Sequence, residues 1–162
     1  LPRTTVFGYM DSNYLTLNER VTDHFPERPA HLPRQRLWKM RARQVVLATG
    51  AIERPLVFAD NDRPGVMLAG AVRACIHRHA VLPGREVVIF TNNDDAYRTA
   101  LAVDDAGAKV AAIVDARPSP AGPLVAAARA RGLPIHAGHV VVETRGRARV
   151  KGCAIMKLAA DG

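Results

Sequence analysis

Between Phe90 and Tyr97 the chain reads Thr-Asn-Asn-Asp-Asp-Ala, after an apolar run and before a segment of helical spacing. In a dinucleotide-binding βαβ unit this place belongs to G-x-G-x-x-G. Glycines there let the backbone turn tightly and bring a pyrophosphate to the helix N-terminus. Here Thr91, Asn93 and Ala96 stand where those glycines belong, and Asp94 and Asp95 fall in the first helical turn. Two like charges about 4 Å apart cost on the order of 4 kcal/mol at an effective dielectric of about 20. A helix terminus gives an anion only ~0.3–1 kcal/mol, so repulsion wins. The two carboxylates are expected to satisfy the helix dipole from within. Asn92 and Asn93 tolerate the turn conformations that glycine would have supplied. Asp115, at the end of the next apolar run, occupies the place of a ribose-binding acid, and without the loop it reads as a strand-end or capping residue. The sequence therefore predicts a nucleotide-domain shape that binds no nucleotide at this loop.

A second stretch, VVLATGAIERPLVFADNDRPGV from Val45 to Val66, raises a different chemistry. Four apolar residues stop in Ala48-Thr49-Gly50 and give way to a loop punctuated by proline. A strand ending in Thr-Gly reads as backbone that makes room for a closely approaching group.

The remaining candidates are weaker. His136-Ala137-Gly138-His139 has no third ligand nearby, and His77 and His79 point to different faces of a helix. Cys75 and Cys153 form neither a CxxC pair nor a zinc framework and read as packed thiols. Asp60-Asn61-Asp62 lacks the D-x-D-x-D-G frame of a calcium loop and reads as a solvated linker. Glu53 and Arg54 are expected to pair with each other or with a partner surface. Tyr9, Tyr14 and Trp38 either mark a subunit contact or cover their own sheet. No Ser/His/Asp set has a recognisable elbow spacing, so no catalytic residue is assigned.

These residues need elements to hold them. Residues 4–9 and 14–17 read as strands around an Asp11-Ser12-Asn13 turn, a hairpin. Residues 24–36, with Pro26, Pro29 and Pro33, read as a loop, followed by strands at 37–42 and 44–47. Residues 67–80 have helical spacing, with Leu68, Val72, Cys75 and Ile76 on one side, and Leu82-Pro83-Gly84 ends them. A strand at 86–90, a helix at 94–106 capped by Gly107 and a strand at 109–114 make a right-handed βαβ crossover. A helix at 124–131 capped by Gly132 and a strand from 134 to 136 extend it, and 140–144 with 150–158 form a hairpin. The fold class is α/β: a Rossmann-like parallel βαβ domain plus a small antiparallel β segment.

The 162 residues suffice for one ordinary domain or pieces of two, and 48% apolar residues suffice for a core. No run of 18 apolar residues exists, so no membrane-spanning helix is expected. The net charge of +8 invites a nucleic-acid partner, but the 23 basic residues, 19 of them arginine, are scattered. The densest run, Arg145–Arg149, sits on a hairpin turn, and no nucleic-acid partner is expected. The unpaired cysteines fit a reduced, cytoplasmic setting. A start without methionine, no apolar leader in LPRTT and a closing turn in KLAADG suggest a piece of a longer protein.

An ATG strand after a small sheet and before a second βαβ domain resembles the two-dinucleotide-domain flavoproteins. Within that group, RTTVFGYMDSNYLTLNERVTDH, RQRLWKMRARQVVLATGAIERPLVFADNDRPGVMLAGAVR and VVIFTNNDDAYRTA resemble the alpha subunits of heterotetrameric sarcosine oxidases. Related amine, opine and proline dehydrogenase subunits belong to the same family. The resemblance runs from Arg3 to about Pro118. It implies that residues 1–66 end a first FAD/NAD-binding-type domain and that 67–162 form the inserted second domain. It implies NAD in the first domain, with Ala48, Thr49 and Gly50 lining the cofactor site and Thr4 and Thr5 near its adenine end. FAD, FMN and tetrahydrofolate would lie elsewhere in a complex with beta, gamma and delta subunits. The complex would oxidise sarcosine, pass the one-carbon unit to tetrahydrofolate and release hydrogen peroxide. This stretch alone is expected to bind no cofactor and to be inactive. Set beside this reading is a non-catalytic scaffold domain of degenerate Rossmann shape.

Overall fold

The computed structural model describes residues 1–159 and divides into two compact units, Leu1–Ala51 and a second beginning at Ile52. The closing turn expected at the C-terminal end includes residues 160–162, which lie outside the described residues.

The first unit is an antiparallel sheet in the order β1 (Thr4–Met10), β2 (Tyr14–Arg20), β3 (Gln35–Arg41). Ser12 and Asn13 take φ of 58° and 53° in the tight turn between β1 and β2, the conformation that short polar side chains tolerate. Phe7 is an extra residue on β1, because Val6 pairs with Leu17 and Gly8 with Thr16, and the resulting bulge bends that edge. The loop expected through residue 36 ends two residues sooner, since Gln35 and Arg36 already pair with Arg20 and Glu19.

The strand expected at 44–47 does not form. Val46 and Leu47 are 88% and 67% exposed, and no backbone N–H from 44 to 58 donates to another backbone group among the described residues. The physical reason is that β structure exists only through its ladder. A continuous apolar run is suited to a strand flanked on both sides, and nothing described here flanks it.

The second unit has three layers. A parallel sheet in the order β4 (Glu86–Thr91), β5 (Lys109–Asp115), β6 (Ile135–Ala137) lies at its centre. One face packs on α1 (Ala69–His79), α2 (Asp95–Asp105) and α3 (Pro123–Ala130), with Tyr97, Val103, Ile113 and Val125 fully buried. The other face, with Ala112, Val114 and Phe90, is covered by the hairpin of β7 (His139–Gly146) and β8 (Val150–Lys157) and by Phe58. A bulge shifts the alternation of β5 along its length. Val87 pairs with Val110 but Val88 with Ala112, so Ala111 is extra and the inward phase of β5 switches there.

Helices α2 and α3 stop alike. Gly107 and Gly132 take φ of 79° and 70°, and the next residues, Ala108 and Leu133, donate back to Val103 O and Ala128 O at 3.1 Å. This is the Schellman arrangement that both glycines predict.

Candidate functional site

The carboxyl ends of β4 and β5 are where an open α/β sheet receives its ligand. Here they converge on an ion-pair network. Asp115 ends β5 with no exposed surface. Its Oδ1 accepts hydrogen bonds from the Arg117 amide and Arg117 Nε, each at 3.0 Å. Its Oδ2 accepts from Tyr97 Oη and Arg117 Nη2, each at 2.8 Å. Burial by itself raises the Asp115 carboxyl pKa, but the hydrogen bonds from Arg117 and Tyr97 outweigh it and hold the group below the ordinary carboxylate range. Burial and the bond to Asp115 push the Tyr97 phenol well above its usual value. The bonds to Asp115 likewise raise the Arg117 guanidinium pKa further.

Arg117 also reaches the β4–α2 loop, where its Nη1 lies 2.8 Å from Asp94 Oδ1. The loop closes on itself. Thr91 Oγ1 accepts from Asn93 N at 3.1 Å and donates to Asn93 O at 2.9 Å. The amide of Asp95 is capped at 3.0 Å by Asn93 Oδ1. Asp95 lies in the first turn, as the dipole argument expects, while the amide cap comes from Asn93. Neither carboxylate turns inward to a first-turn amide, because each meets an arginine: Asp94 meets Arg117, and Asp95 Oδ2 meets Arg73 Nη2 at 2.7 Å.

Two further contacts organise residues 52–68. Glu53 places Oε1 and Oε2 at 2.8 Å from the amides of Ala69 and Gly70, the opening of α1. That helix has no acidic residue in its first turn and no side-chain cap of its own, so Glu53 supplies the missing acceptor and charge. Glu53 thus meets this helix end and does not pair with Arg54. Arg63 ties the Asp60–Pro64 loop to the hairpin. It donates to Thr144 Oγ1 at 3.1 Å and to Gly146 O, and pairs with Asp60 at 2.6 Å. The loop expected to be a solvated linker is therefore fastened, with Ala59 bridged to Glu143 and Val150 N donating to Pro64 O.

The five residues assigned by resemblance fall in the first unit. Thr4 and Thr5 open β1; Thr4 Oγ1 donates to Pro2 O at 3.0 Å, and Thr5 faces an open groove of about 600 Å³ with Phe7, Asn18, Arg20, Gln35 and Leu37. The register sets Thr4 and Thr5 level with Arg36 and Leu37, where β3 begins. Ala48, Thr49 and Gly50 come seven to nine residues after Arg41, the other end of β3. They are exposed, and no hydrogen bond among the described residues joins them to Thr4 or Thr5. Gly50 takes φ of 72°, with no heavy atom within 4 Å of where a Cβ would sit.

Among the described residues no group of three His, Cys, Asp or Glu side chains could hold a metal ion, and the His136 and His139 rings meet edge-on at 5.7 Å. Cys75 and Cys153 are free and half-buried, and burial raises the Cys153 thiol pKa. Trp38 donates to Glu19 at 2.8 Å beneath the Arg36 guanidinium, so its own sheet occupies it. Tyr97, Arg63 and Arg117 are functional to this architecture and escaped sequence reasoning. Only Arg117 left a signal, an arginine two residues after a strand-end aspartate.

No family model matches the chain. It is 54% identical over 119 residues to the alpha subunit of sarcosine oxidase from Rhizobium meliloti (strain 1021), covering 74% of this chain and 12% of that protein. It is 40% identical over 166 aligned positions to the alpha subunit of sarcosine oxidase from Corynebacterium sp. (strain U-96), covering 99% of this chain and 17% of that one. Over 76 residues, 47% of the chain, it is 37% identical to an opine oxidase subunit from Agrobacterium tumefaciens (strain Ach5), covering 15% of that protein. The chain thus spans between an eighth and a sixth of the length of these relatives. The stretches aligned with the sarcosine oxidase subunits cover between 74% and 99% of the chain, and across the stretch it spans this chain belongs to the family of sarcosine oxidase alpha subunits.

Proposed function

We propose that the chain forms part of the alpha subunit of a cytoplasmic, sarcosine oxidase-type oxidoreductase that oxidatively demethylates a secondary amine, with sarcosine the first candidate. The observation that carries this reading is the 54% identity over 119 residues. In this reading residues 1–66 close a first nucleotide domain that holds NAD, and 67–162 are the inserted second domain. FAD, FMN and tetrahydrofolate act elsewhere in a complex with beta, gamma and delta subunits, and this stretch alone turns over no substrate.

The residues present fit such a nucleotide at one place and not at another. Gly50 is open to close approach, and the surrounding amides are not spent on backbone partners. This suits a cofactor met by main chain, with Ala48, Thr49 and Gly50 holding it and Thr4 and Thr5 toward its adenine end. When bound, NAD supplies a nicotinamide ring that exchanges hydride. The β4–α2 loop does not fit a pyrophosphate, because Asp94 and Asp95 flank it and the Asn93 and Asp95 amides are already bonded to side chains. That loop favours the scaffold reading for the second unit taken alone.

The test is to purify the intact protein with its partners and measure both the NAD released on denaturation and the peroxide formed from sarcosine. We expect bound NAD and sarcosine-dependent peroxide, and loss of retained NAD in Gly50→Val. Unchanged NAD in that variant would refute the site. Absence of peroxide with sarcosine and other secondary amines would refute the activity.

A further inference from the structure

We propose that Arg117 is a built-in occupant of the second unit's ligand crevice, an internal cation that bridges the two places a dinucleotide would touch and closes the crevice to it. A dinucleotide in such a unit spans from the phosphate loop after the first strand to an acid at the end of the second. Arg117 makes this span. One end of its guanidinium lies 2.8 Å from Asp94 in the loop, and the rest is bidentate on Asp115 at the strand end, at 3.0 and 2.8 Å.

The backbone around Arg117 fixes it there. Ala116 N donates to Thr91 O at 2.9 Å, and Arg117 O accepts from Gly138 N at 2.8 Å. The segment therefore runs across the ends of all three parallel strands. Gly122, opening α3, closes the far side; a Cβ there would stand 3.1 Å from Asp94 Oδ2. A guanidinium matches this place chemically, because two carboxylates, one without exposed surface, must share a planar cation with several donors. A phosphate in the same space would face those carboxylates after displacing the cation that bridges them. The inference rests on the second unit's own contacts and holds whatever the first domain carries.

The test uses the intact polypeptide that carries this chain, followed by hydrogen exchange so that the readout is local. With 5′-AMP as a half-dinucleotide probe, residues 91–95 and 116–122 should gain no protection in the wild type at millimolar concentration. Protection there would overturn the proposal, whatever happens around Gly50. Arg117→Ala should lower Tm by roughly 10 °C. Methylguanidinium at tens of millimolar should restore much of that loss, whereas sodium chloride of equal ionic strength should not, and the rescue should vanish in Arg117→Ala/Asp94→Asn. A folded Arg117→Ala that methylguanidinium stabilises no better than salt would also overturn it. If Arg117→Ala does not accumulate folded, the AMP measurement on the wild type decides.

Discussion

A carboxylate with no exposed surface persists as an anion only where donors replace its lost water, and Asp115 has four hydrogen bonds from Arg117 and Tyr97. Removing the charge leaves the Arg117 guanidinium, about a third exposed and still beside Asp94, without its bidentate partner, a loss of roughly 1.5–3 kcal/mol. Asp115→Asn should therefore lower the urea midpoint at neutral pH. The pH dependence has a definite sign. The folded-state pKa of Asp115 lies below its unfolded value of about 3.9, so its contribution is fully present above about pH 4 and is lost as pH falls through the folded value. The gap between wild type and Asp115→Asn should stay constant from neutral pH to about pH 5 and narrow below about pH 4, read from urea melts. Glu53 acts on a smaller scale. Glu53→Ala deprives two amides of their acceptor and should cost about 1 kcal/mol, with faster hydrogen exchange at Ala69 and Gly70.

Elements differ in whether their own residues suffice to define them. The ends of α2 and α3 are local matters, since a glycine in the left-handed region supplies the turn. Gly107→Ala would meet no neighbour within 4 Å, so only the backbone term remains, roughly 1–2 kcal/mol, measurable as a shift in urea midpoint with unchanged slope. The same locality made 86–90, 94–106 and 109–114 readable to within a residue or two, because period and caps agree. The strand expected at 44–47 fails to form for the opposite reason. Val45 to Leu47 have the composition of a buried strand, but composition cannot supply the neighbour that accepts the hydrogen bonds. Residues 56–66 show a third case. Their proline and acids read as a loop, which they are, yet Arg63 fastens them to a hairpin about 80 residues later. Arg63→Ala should leave the loop's path without its link to Thr144 and Gly146, raising exchange in residues 59–65 and 144–150 while α2 stays protected.

At the scale of the whole molecule, the two units differ in how much they bury. The second has two clusters on either side of its sheet, whereas the first leaves Val6, Phe7, Tyr9 and Leu37 more than half exposed. In the chain by itself the amides of 44–58 should exchange close to the unfolded rate, and in the intact protein those of 45–48 should become protected as the run gains neighbours. Unchanged rapid exchange there would count against a completed first domain. The sequence by itself determined the α/β class, the helix ends and the degenerate state of the phosphate loop, because each rests on residues within a few positions of one another. It also carried the family, through runs such as Ile52–Phe58 and Asn61–Leu68 on which the resemblance rests. Tertiary structure alone decided that Glu53 caps a helix 16 residues on and that Asp94 shares a guanidinium with Asp115. These contacts join residues distant in sequence, and charge complementarity has no period to read. An ion pair becomes specific only when packing brings its partners together and removes the water that would otherwise separate them.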